Sequence, residues 1–244
     1  MKINVMLKKE AVDPKKITEQ DHVVVLDILL ATTTIVSLLQ HRAKEIYPVI
    51  DKMEALSLSE ELGKDSCLLI GEEEGRLIEG FLAPNPLSLQ EAVCDKSIIL
   101  STTNGTVAIR RVNRAKQVYV ASLLNGRAVA RELVQERQED EIIHIVCSGS
   151  SNQFCMEDFY GAGFFIDELL QSYDGKKVEL SDSALSAHLF YDKYRSQVEG
   201  ERVLRQSSVG RMLIEQGFSK DISYVNQRNV YEVVPKLVGQ KVKI

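Results

Sequence analysis

Asp27 and the threonines that follow it are the first residues whose types and spacing suggest chemistry. His22–Leu26 is a short, mainly apolar run that predicts a buried strand, with Asp27 at its carboxyl end and Thr32, Thr33 and Thr34 at the start of the next helical pattern. Ligands of open α/β sheets collect at this edge. Backbone N–H groups and Thr hydroxyls there suit phosphate oxygens, and a carboxylate suits magnesium. The alternative is an Asp in a turn with Thr residues that cap a helix.

A second loop repeats this arrangement. Ser101 ends another apolar run and is followed by Thr102, Thr103, Asn104, Gly105 and Thr106. Small hydroxyl residues and a Gly suit a nest of N–H groups that holds an anion. An ordinary turn with an N-cap is the alternative, and the presence of Thr in both loops favours the binding role.

Further carboxylates are candidate metal ligands or acid/base groups. Glu72 and Glu79 flank a Glu-rich, Gly-rich loop, Glu157 and Asp158 open a helical pattern, and Asp182 opens another. We interpret Glu72 and Asp158 as catalytic together with Asp27, and Glu79, Glu157 and Asp182 as metal ligands together with Asp27. The alternatives are a solvated acidic loop and the ordinary preference of helix starts for acidic residues.

Three known phosphatase mechanisms are excluded by spacing. Haloacid-dehalogenase-type enzymes need a second Asp two residues after the nucleophile, where this chain has Leu29 after Asp27. Cysteine phosphatases need an Arg six residues after the Cys, where Gln153 follows Cys147 and Gly161 follows Cys155. The GxxxxGK[ST] phosphate loop is also missing from the sequence.

The composition limits the partners. The 244 residues carry a formal net charge of −5, with both signs interspersed, so we expect no nucleic-acid binding. No apolar stretch has the roughly 20 residues that span a bilayer. The N-terminus lacks a signal-peptide pattern, so we expect a cytoplasmic protein without a membrane partner. A homodimer is the default expectation for an enzyme of this size.

Apolar strands alternate with helical patterns along the chain, which predicts an α/β fold with a mainly parallel sheet. The predicted strands are His22–Leu26, Glu45–Val49, Cys67–Ile70, Ser97–Leu100, Gln117–Ala121, Ile142–Cys147 and Val230–Val234. The predicted helices after the first one are Lys52–Leu62, Thr106–Asn113, Asn125–Glu136, Asp158–Leu170, Ser181–Tyr194 and Arg202–Gln216, the last capped by Gly217.

An internal repeat relates two of these units. Thr34–Val49 and Thr106–Ala121 align after a shift of 72 residues, which places Arg42-Ala43-Lys44 on Arg114-Ala115-Lys116. Each copy has the order apolar strand, Thr-rich loop, helix, Arg-Ala-Lys turn and strand. We interpret the repeat as a duplication that gives one compact domain over residues 1–244 with two similar halves or two intimately packed lobes. Chance similarity of two α/β units is the alternative.

Taken in order, these segments resemble the 2-phosphosulfolactate phosphatase family nearly end to end. The segments that carry the resemblance are Val23–Val36, Ala43–Val49, Ile78–Phe81 with Asn85, Ser101–Thr106, Cys147–Ser150, Met156–Gly163, Asp182 with Ala184, and Val209–Arg211. The resemblance implies a compact α/β fold with two similar halves. It also implies a Mg²⁺-dependent hydrolase that converts 2-phospho-3-sulfolactate to sulfolactate and phosphate, a step that leads to coenzyme M in archaea. Arg211 joins the two Thr-rich loops as an expected substrate-binding residue.

The chain departs from the family pattern where arginines are common, at Leu30, Glu73 and Val107. Arginine is the usual bidentate partner of phosphate, sulfonate and carboxylate groups. The departures therefore leave two further hypotheses beside the phosphatase: a catalytically silent homologue that binds an acidic metabolite or a protein partner, and a phosphatase retuned to a less charged substrate. Arg76, Arg127 or Arg211 are candidates to replace the missing cations.

Overall fold

The computed structural model describes residues 1–138, 141–175 and 177–244. The strands of these residues are β1 Lys2–Met6, β2 His22–Leu26, β3 Glu45–Val49, β4 Cys67–Glu73, β5 Arg76–Leu77, β6 Ser97–Ser101, β7 Gln117–Ala121, β8 Ile142–Cys147, β9 Glu179–Leu180, β10 Lys236–Val238 and β11 Lys241–Lys243. The helices are α1 Ala31–Gln40, α2 Lys52–Leu62, α3 Pro86–Leu89, α4 Gly105–Arg111, α5 Gly126–Glu136, α6 Met156–Ser172, α7 Asp182–Lys193, α8 Gln197–Gln206, α9 Ser208–Glu215 and α10 Ser219–Val225.

The strands form one mixed sheet in the order β5-β4-β6-β3-β11-β10-β7-β2-β8-β1-β9. Two parallel groups, β4-β6-β3 and β7-β2-β8-β1-β9, are joined by the hairpin of β10 and β11, which pairs antiparallel with β7 and β3. The predicted α/β fold with a mainly parallel sheet is therefore confirmed.

The two repeated units cross between these groups. The first unit runs from β2 through α1 to β3, and the second runs from β6 through α4 to β7. The first strand of each unit pairs in parallel with the second strand of the other, β2 with β7 and β6 with β3. The carboxyl ends of β2 and β6, where the Thr-rich loops begin, therefore belong to different groups of the sheet. Duplication as the origin of the units stays a prediction.

The central strands are buried on both faces, as their apolar sequences require. In β2, Val24 belongs to one hydrophobic cluster, with Tyr119 and Ile145, while Val23 and Val25 belong to a second cluster on the opposite face. Burial of each such side chain contributes about 1.5–3 kcal/mol. The core thereby holds the carboxyl ends of the strands in fixed positions.

The C-terminal third differs from the sequence prediction. The predicted helix Arg202–Gln216 is divided at Ser207, whose extended backbone (ψ 160°) ends α8 and whose Oγ accepts the N–H of Gly210 to begin α9. Gly217 follows α9 with φ 88°, the left-handed conformation of a C-cap.

The predicted strand Val230–Val234 is wrong, because this segment is irregular and sheet pairing begins only after Pro235. The turn at Gly239 (φ 62°) then reverses the chain into β11. Among the described residues, no helix combines the length and apolar character needed to cross a bilayer.

Candidate active site

Four carboxylates are buried at the carboxyl edge of the parallel strands, and we call them the acidic cluster: Asp27, Glu72, Glu157 and Asp158. Asp27 follows β2, Glu72 lies at the end of β4, and the other two open α6, which follows β8. Within residues 1–138, 141–175 and 177–244, none of the four forms an ion pair with a Lys, Arg or His side chain.

Asp27 has the electrostatics of a functional carboxyl group. Burial, and then the negative charges of Glu72 and Glu157, raise the pKa of Asp27 from 3.8 to about 7. Hydrogen bonds from the backbone N–H groups of Ala31 and Leu30 oppose this rise. The negative charges of the cluster therefore repel one another, an arrangement that is frequent at active sites.

The two Thr-rich loops meet at Asp27. A Cβ atom placed on Gly105 would lie 2.5 Å from Oδ2 of Asp27 and 2.3 Å from Cβ of Ala31, so the second loop packs directly against the first. Only a residue without a side chain permits this approach. The convergence of the two loops, on which the predicted site depends, is present in the structure.

The threonine hydroxyls mainly hold the loops in shape. Thr32 Oγ1 donates to the carbonyl of Asp27, Thr33 Oγ1 to that of Ile28 and Thr34 Oγ1 to that of Pro84. Thr106 Oγ1 likewise donates to Thr102 O at 2.8 Å. All five of these threonines are buried. Their direct contact with phosphate stays a prediction, and their observed partners give them a structural role.

Asp158 connects two strand ends. Its Oδ1 accepts the N–H of Ile28 at 2.9 Å, and its Oδ2 accepts the N–H of Gly149 at 3.0 Å. Burial, followed by the charges of Asp27 and Glu157, raises the pKa of Asp158 well above its ordinary value. Because both oxygens are already engaged, Asp158 is placed to position the loops after β2 and β8.

Glu72 is held by the second Thr-rich loop. Its Oε1 accepts the N–H of Thr103 at 2.8 Å, and its Oε2 accepts the N–H of Gly75 at 2.7 Å and the hydroxyl of Thr103 at 3.2 Å. Thr103 Oγ1 also accepts the N–H of Glu74 at 2.7 Å. These bonds tie the β4–β5 hairpin to the carboxyl end of β6.

Glu157 is the member of the cluster with an unused oxygen. Its Oε2 is buried without a hydrogen-bond partner, and burial raises the pKa of this carboxyl despite hydrogen bonds from its own backbone N–H, Ser207 and Cys155. An orphaned buried carboxylate oxygen beside Asp27 has the donor chemistry that a hard cation such as Mg²⁺ prefers. Since Mg²⁺ is often bound by only one or two carboxylates plus waters, these residues fit such an ion.

Three predicted site residues lie apart from the acidic cluster in their observed contacts. Glu79 and Asp182 are exposed, in the turn after β5 and in the first turn of α7. Arg211 is exposed on α9 and donates to Gln206 O and to Ser208 Oγ. Over the described residues, no group of three or more His, Cys, Asp or Glu side chains is arranged to hold a metal ion. The metal-binding roles of Glu79 and Asp182 stay predictions.

Lys9 is a candidate that the sequence analysis missed. It lies in a 3₁₀ turn after β1, is 6% exposed, and donates from Nζ to Oδ1 of Asn104 at 2.7 Å. Its N–H donates to the carbonyl of Ser148, and its ammonium pairs with Glu10 at 2.9 Å. A buried cation thus lies between the loops after β6 and β8. In the sequence, the alternation of apolar Ile3 and Val5 predicts a first strand, and Lys9 lies shortly after its end.

A cavity of about 390 Å³ opens beside the acidic cluster. Its lining comes from the loop before α1, the β4–β5 hairpin, the segment before α3, and α9 with the turn that follows it. The lining residues are Leu30, Glu72, Gly75, Arg76, Leu77, Ala83, Pro84, Asn85, Met212, Leu213, Gln216 and Phe218. Glu72 belongs to both the cavity and the cluster, so the two adjoin each other.

Comparison with known proteins shows which family the chain resembles along its length. Residues 6–240 match the family described as 2-phosphosulpholactate phosphatase. A probable 2-phosphosulfolactate phosphatase of Carboxydothermus hydrogenoformans is 38% identical over 237 residues, which cover 97% of this chain and 93% of the relative. A protein of the same description from Clostridium perfringens is 34% identical over 248 residues, and one from Clostridium beijerinckii is 29% identical over 244 residues. These alignments cover at least 96% of each chain.

Proposed function

Since the chain belongs to the 2-phosphosulfolactate phosphatase family and is a phosphoric monoester hydrolase, we propose that it hydrolyses 2-phosphosulfolactate or a closely related small phospho-acid. In this reaction a bond forms between the oxygen of water and phosphorus. The bond between phosphorus and the C2 oxygen breaks, and that oxygen takes up a proton. The products are the 2-hydroxy acid and inorganic phosphate.

The observation that carries the proposal is the acidic cluster itself. Its carboxylates are buried at the carboxyl edge of the parallel strands, none of them is ion-paired in the part of the chain that the structure describes, and the pKa of Asp27 is raised to about 7. Burial of these like charges destabilises the fold, and a cation that binds with an anionic substrate would offset their repulsion.

We assign Asp27 and Glu157 as the residues that would hold Mg²⁺, because Glu157 Oε2 has no hydrogen-bond partner among the described residues and the charge of Glu157 raises the pKa of Asp27. When bound, the ion would supply positive charge that stabilises the transferring phosphoryl group. Asp158 and Glu72 keep these residues in place through hydrogen bonds to Ile28, Gly149 and Thr103.

Lys9 and Asn104 are the proposed polar contacts for the phosphoryl oxygens. The Lys9 ammonium is oriented by Asn104 and lies between two loops at the active edge of the sheet. The rest of the substrate extends from Glu72 into the adjoining cavity. The acidic cluster is largely sealed from solvent, which strengthens the attraction between these groups and the substrate.

The test is phosphate release from synthetic 2-phosphosulfolactate and a panel of small phosphomonoesters, with Mg²⁺ and then with EDTA. We expect release that requires the metal, and a rise in melting temperature with Mg²⁺ that Asp27→Asn abolishes. A matched control is Asp182→Asn, since Asp182 is exposed at the start of α7. Absence of metal-dependent release from every compound would contradict the proposal. Substrate-induced stabilisation without turnover would favour the catalytically silent homologue instead.

A further inference from the structure

The cavity beside the acidic cluster has an unusual lining for a site that receives a highly charged metabolite. Most of its wall is apolar, with the side chains of Leu30, Leu77, Met212, Leu213 and Phe218 facing a space of about 390 Å³. That volume falls in the range of small-molecule sites, which are mostly apolar with a few placed polar groups. The wall therefore favours an apolar part of a ligand.

The cavity adjoins the acidic cluster. Glu72 contributes to both, and Leu30 lines the cavity while its backbone N–H donates to the carboxylate of Asp27. A phosphomonoester with its phosphoryl group at the acidic cluster would therefore direct its carbon skeleton toward Leu30 and the apolar wall.

One side of the cavity is closed by contact between distant parts of the chain. The side-chain amide of Gln216 donates to the carbonyl of Gly75 at 3.0 Å. A Cβ atom on Gly75, whose φ is 75°, would lie 2.7 Å from Sδ of Met212. The tip of the β4–β5 hairpin thus packs against α9 and closes this side of the cavity.

The charges in the cavity limit how many anionic groups the ligand can carry. Among the described residues of its lining, Arg76 alone is basic and Glu72 alone is acidic. The other polar side chains of the lining are the neutral amides of Asn85 and Gln216. One carboxylate can pair with Arg76, whereas a second anion such as a sulfonate would lose water without a second cation in the lining to offset that loss.

We propose that the preferred substrates are 2-phosphorylated hydroxycarboxylic acids whose C3 substituent is apolar, with the carboxylate at Arg76 and the substituent against Leu30, Leu77 and Phe218. This inference rests on the proposed phosphatase activity and specifies its substrate class. Hydrolysis follows the same bond changes and yields an apolar 2-hydroxy acid and phosphate.

The test compares kcat/KM for three synthetic compounds: 2-phospho-4-methylpentanoate, 2-phospholactate and 2-phosphosulfolactate. We expect the branched compound to exceed 2-phospholactate by about tenfold or more, because hydrophobic pockets discriminate by about that factor per methylene, and to exceed 2-phosphosulfolactate as well. An equal or higher kcat/KM for 2-phosphosulfolactate would overturn the inference while it supports the phosphatase. Failure to hydrolyse any of the three would instead contradict the proposed function.

A pair of matched variants locates the preference in the cavity. Leu77 and Leu189 are each 59% exposed, so either accepts Arg without disruption of the core, but only Leu77 lines the cavity. Leu77→Arg is expected to lower the ratio of kcat/KM for the branched compound over 2-phosphosulfolactate by about fivefold or more. Leu189→Arg should leave this ratio unchanged. Equal ratios in the two variants would contradict the assignment of the cavity.

Discussion

The two ends of strand β2 place acids in opposite electrostatic settings. At its N-terminal end, Glu141 pairs with His22 at 2.8 Å and with Lys116, and Asp21 pairs with His144 at 3.4 Å. At its C-terminal end, Asp27 accepts the backbone N–H groups of Ala31 and Leu30 and faces other carboxylates. Burial works against ionisation at both ends, yet the pKa of Glu141 falls to about 2 while that of Asp27 rises to about 7.

The difference distinguishes acids whose ionisation stabilises the fold from acids whose ionisation destabilises it. A carboxyl group whose folded pKa lies below its unfolded pKa contributes stability at neutral pH, and one whose folded pKa lies above it subtracts stability. The same strand therefore has a structural end and a functional end. Substitutions that neutralise one acid at a time can test this contrast.

Neutralisation of Asp27 should have the largest effect on activity and should not lower the free energy of unfolding. Asp27→Asn keeps an oxygen that can accept the N–H groups of Leu30 and Ala31 but removes the charge that opposes Glu72 and Glu157. We expect kcat/KM for phosphate release to fall about 10³-fold, with a free energy of unfolding equal to or above that of the wild type. A loss of stability would contradict the comparison of the two ends.

Glu157→Gln should show the same pattern with a smaller amplitude. Its orphaned Oε2 gives the fold no hydrogen bond, so neutralisation should cost no stability in urea unfolding. Activity should fall about 10²-fold, because one of two proposed cation ligands loses its charge. Glu79→Gln is the matched control, since Glu79 is exposed in the turn after β5. Equal losses in the two variants would remove Glu157 from the site.

Glu141→Gln tests the structural end. Burial opposes ionisation of Glu141, but hydrogen bonds from Lys116, the N–H of Gln138 and His22 lower its pKa from 4.5 to about 2. The stability that it contributes is complete above pH 4.5 and is lost as the pH falls toward 2. We expect the variant to be about 2 kcal/mol less stable at neutral pH. The difference from wild type should shrink between pH 4.5 and 2, with unchanged kcat. A difference that does not depend on pH would contradict the assignment.

The sequence predicts the strand ends better than the roles of the side chains that follow them. A buried run before Asp27 and a Thr-rich loop at each unit are local patterns, and both loops do converge. Whether a carboxylate is free to act depends on which backbone groups the fold directs at it. Asp158 and Ile28 are 130 residues apart in the chain, and their hydrogen bond occupies one of the oxygens predicted to be catalytic. No pattern in the local sequence indicates that contact.

Residue type alone does not indicate which acids are exposed, nor does it locate the helix break in the C-terminal third. Residue type predicts Glu79 and Asp182 as oxygen ligands. Both are exposed whereas the acidic cluster is buried, and their metal-binding roles stay predictions. The helix break at Ser207 has a local signal in the paired serines, and the hydroxyl of Ser207 is also a hydrogen-bond partner of Glu157. The long prediction Arg202–Gln216 ignored that signal because the apolar period continues across it.

Substitution of Lys9 should have the smallest effect on activity. It tests whether the cation at this end of the sheet binds the phosphoryl group. Its ammonium bonds to Asn104 and Glu10, so its loss also removes packing between the loops. Lys9→Met should therefore lower kcat/KM about tenfold, by loss of one charged hydrogen bond to the phosphoryl group, with a small loss of stability. Lys9→Arg keeps the charge and should recover most of the activity, whereas Lys8→Met, at a half-buried neighbour whose ammonium bonds to Asn152, should change little. If the Met and Arg variants lose activity equally, Lys9 acts through loop packing alone, and the phosphoryl group must be held by other donors at this edge.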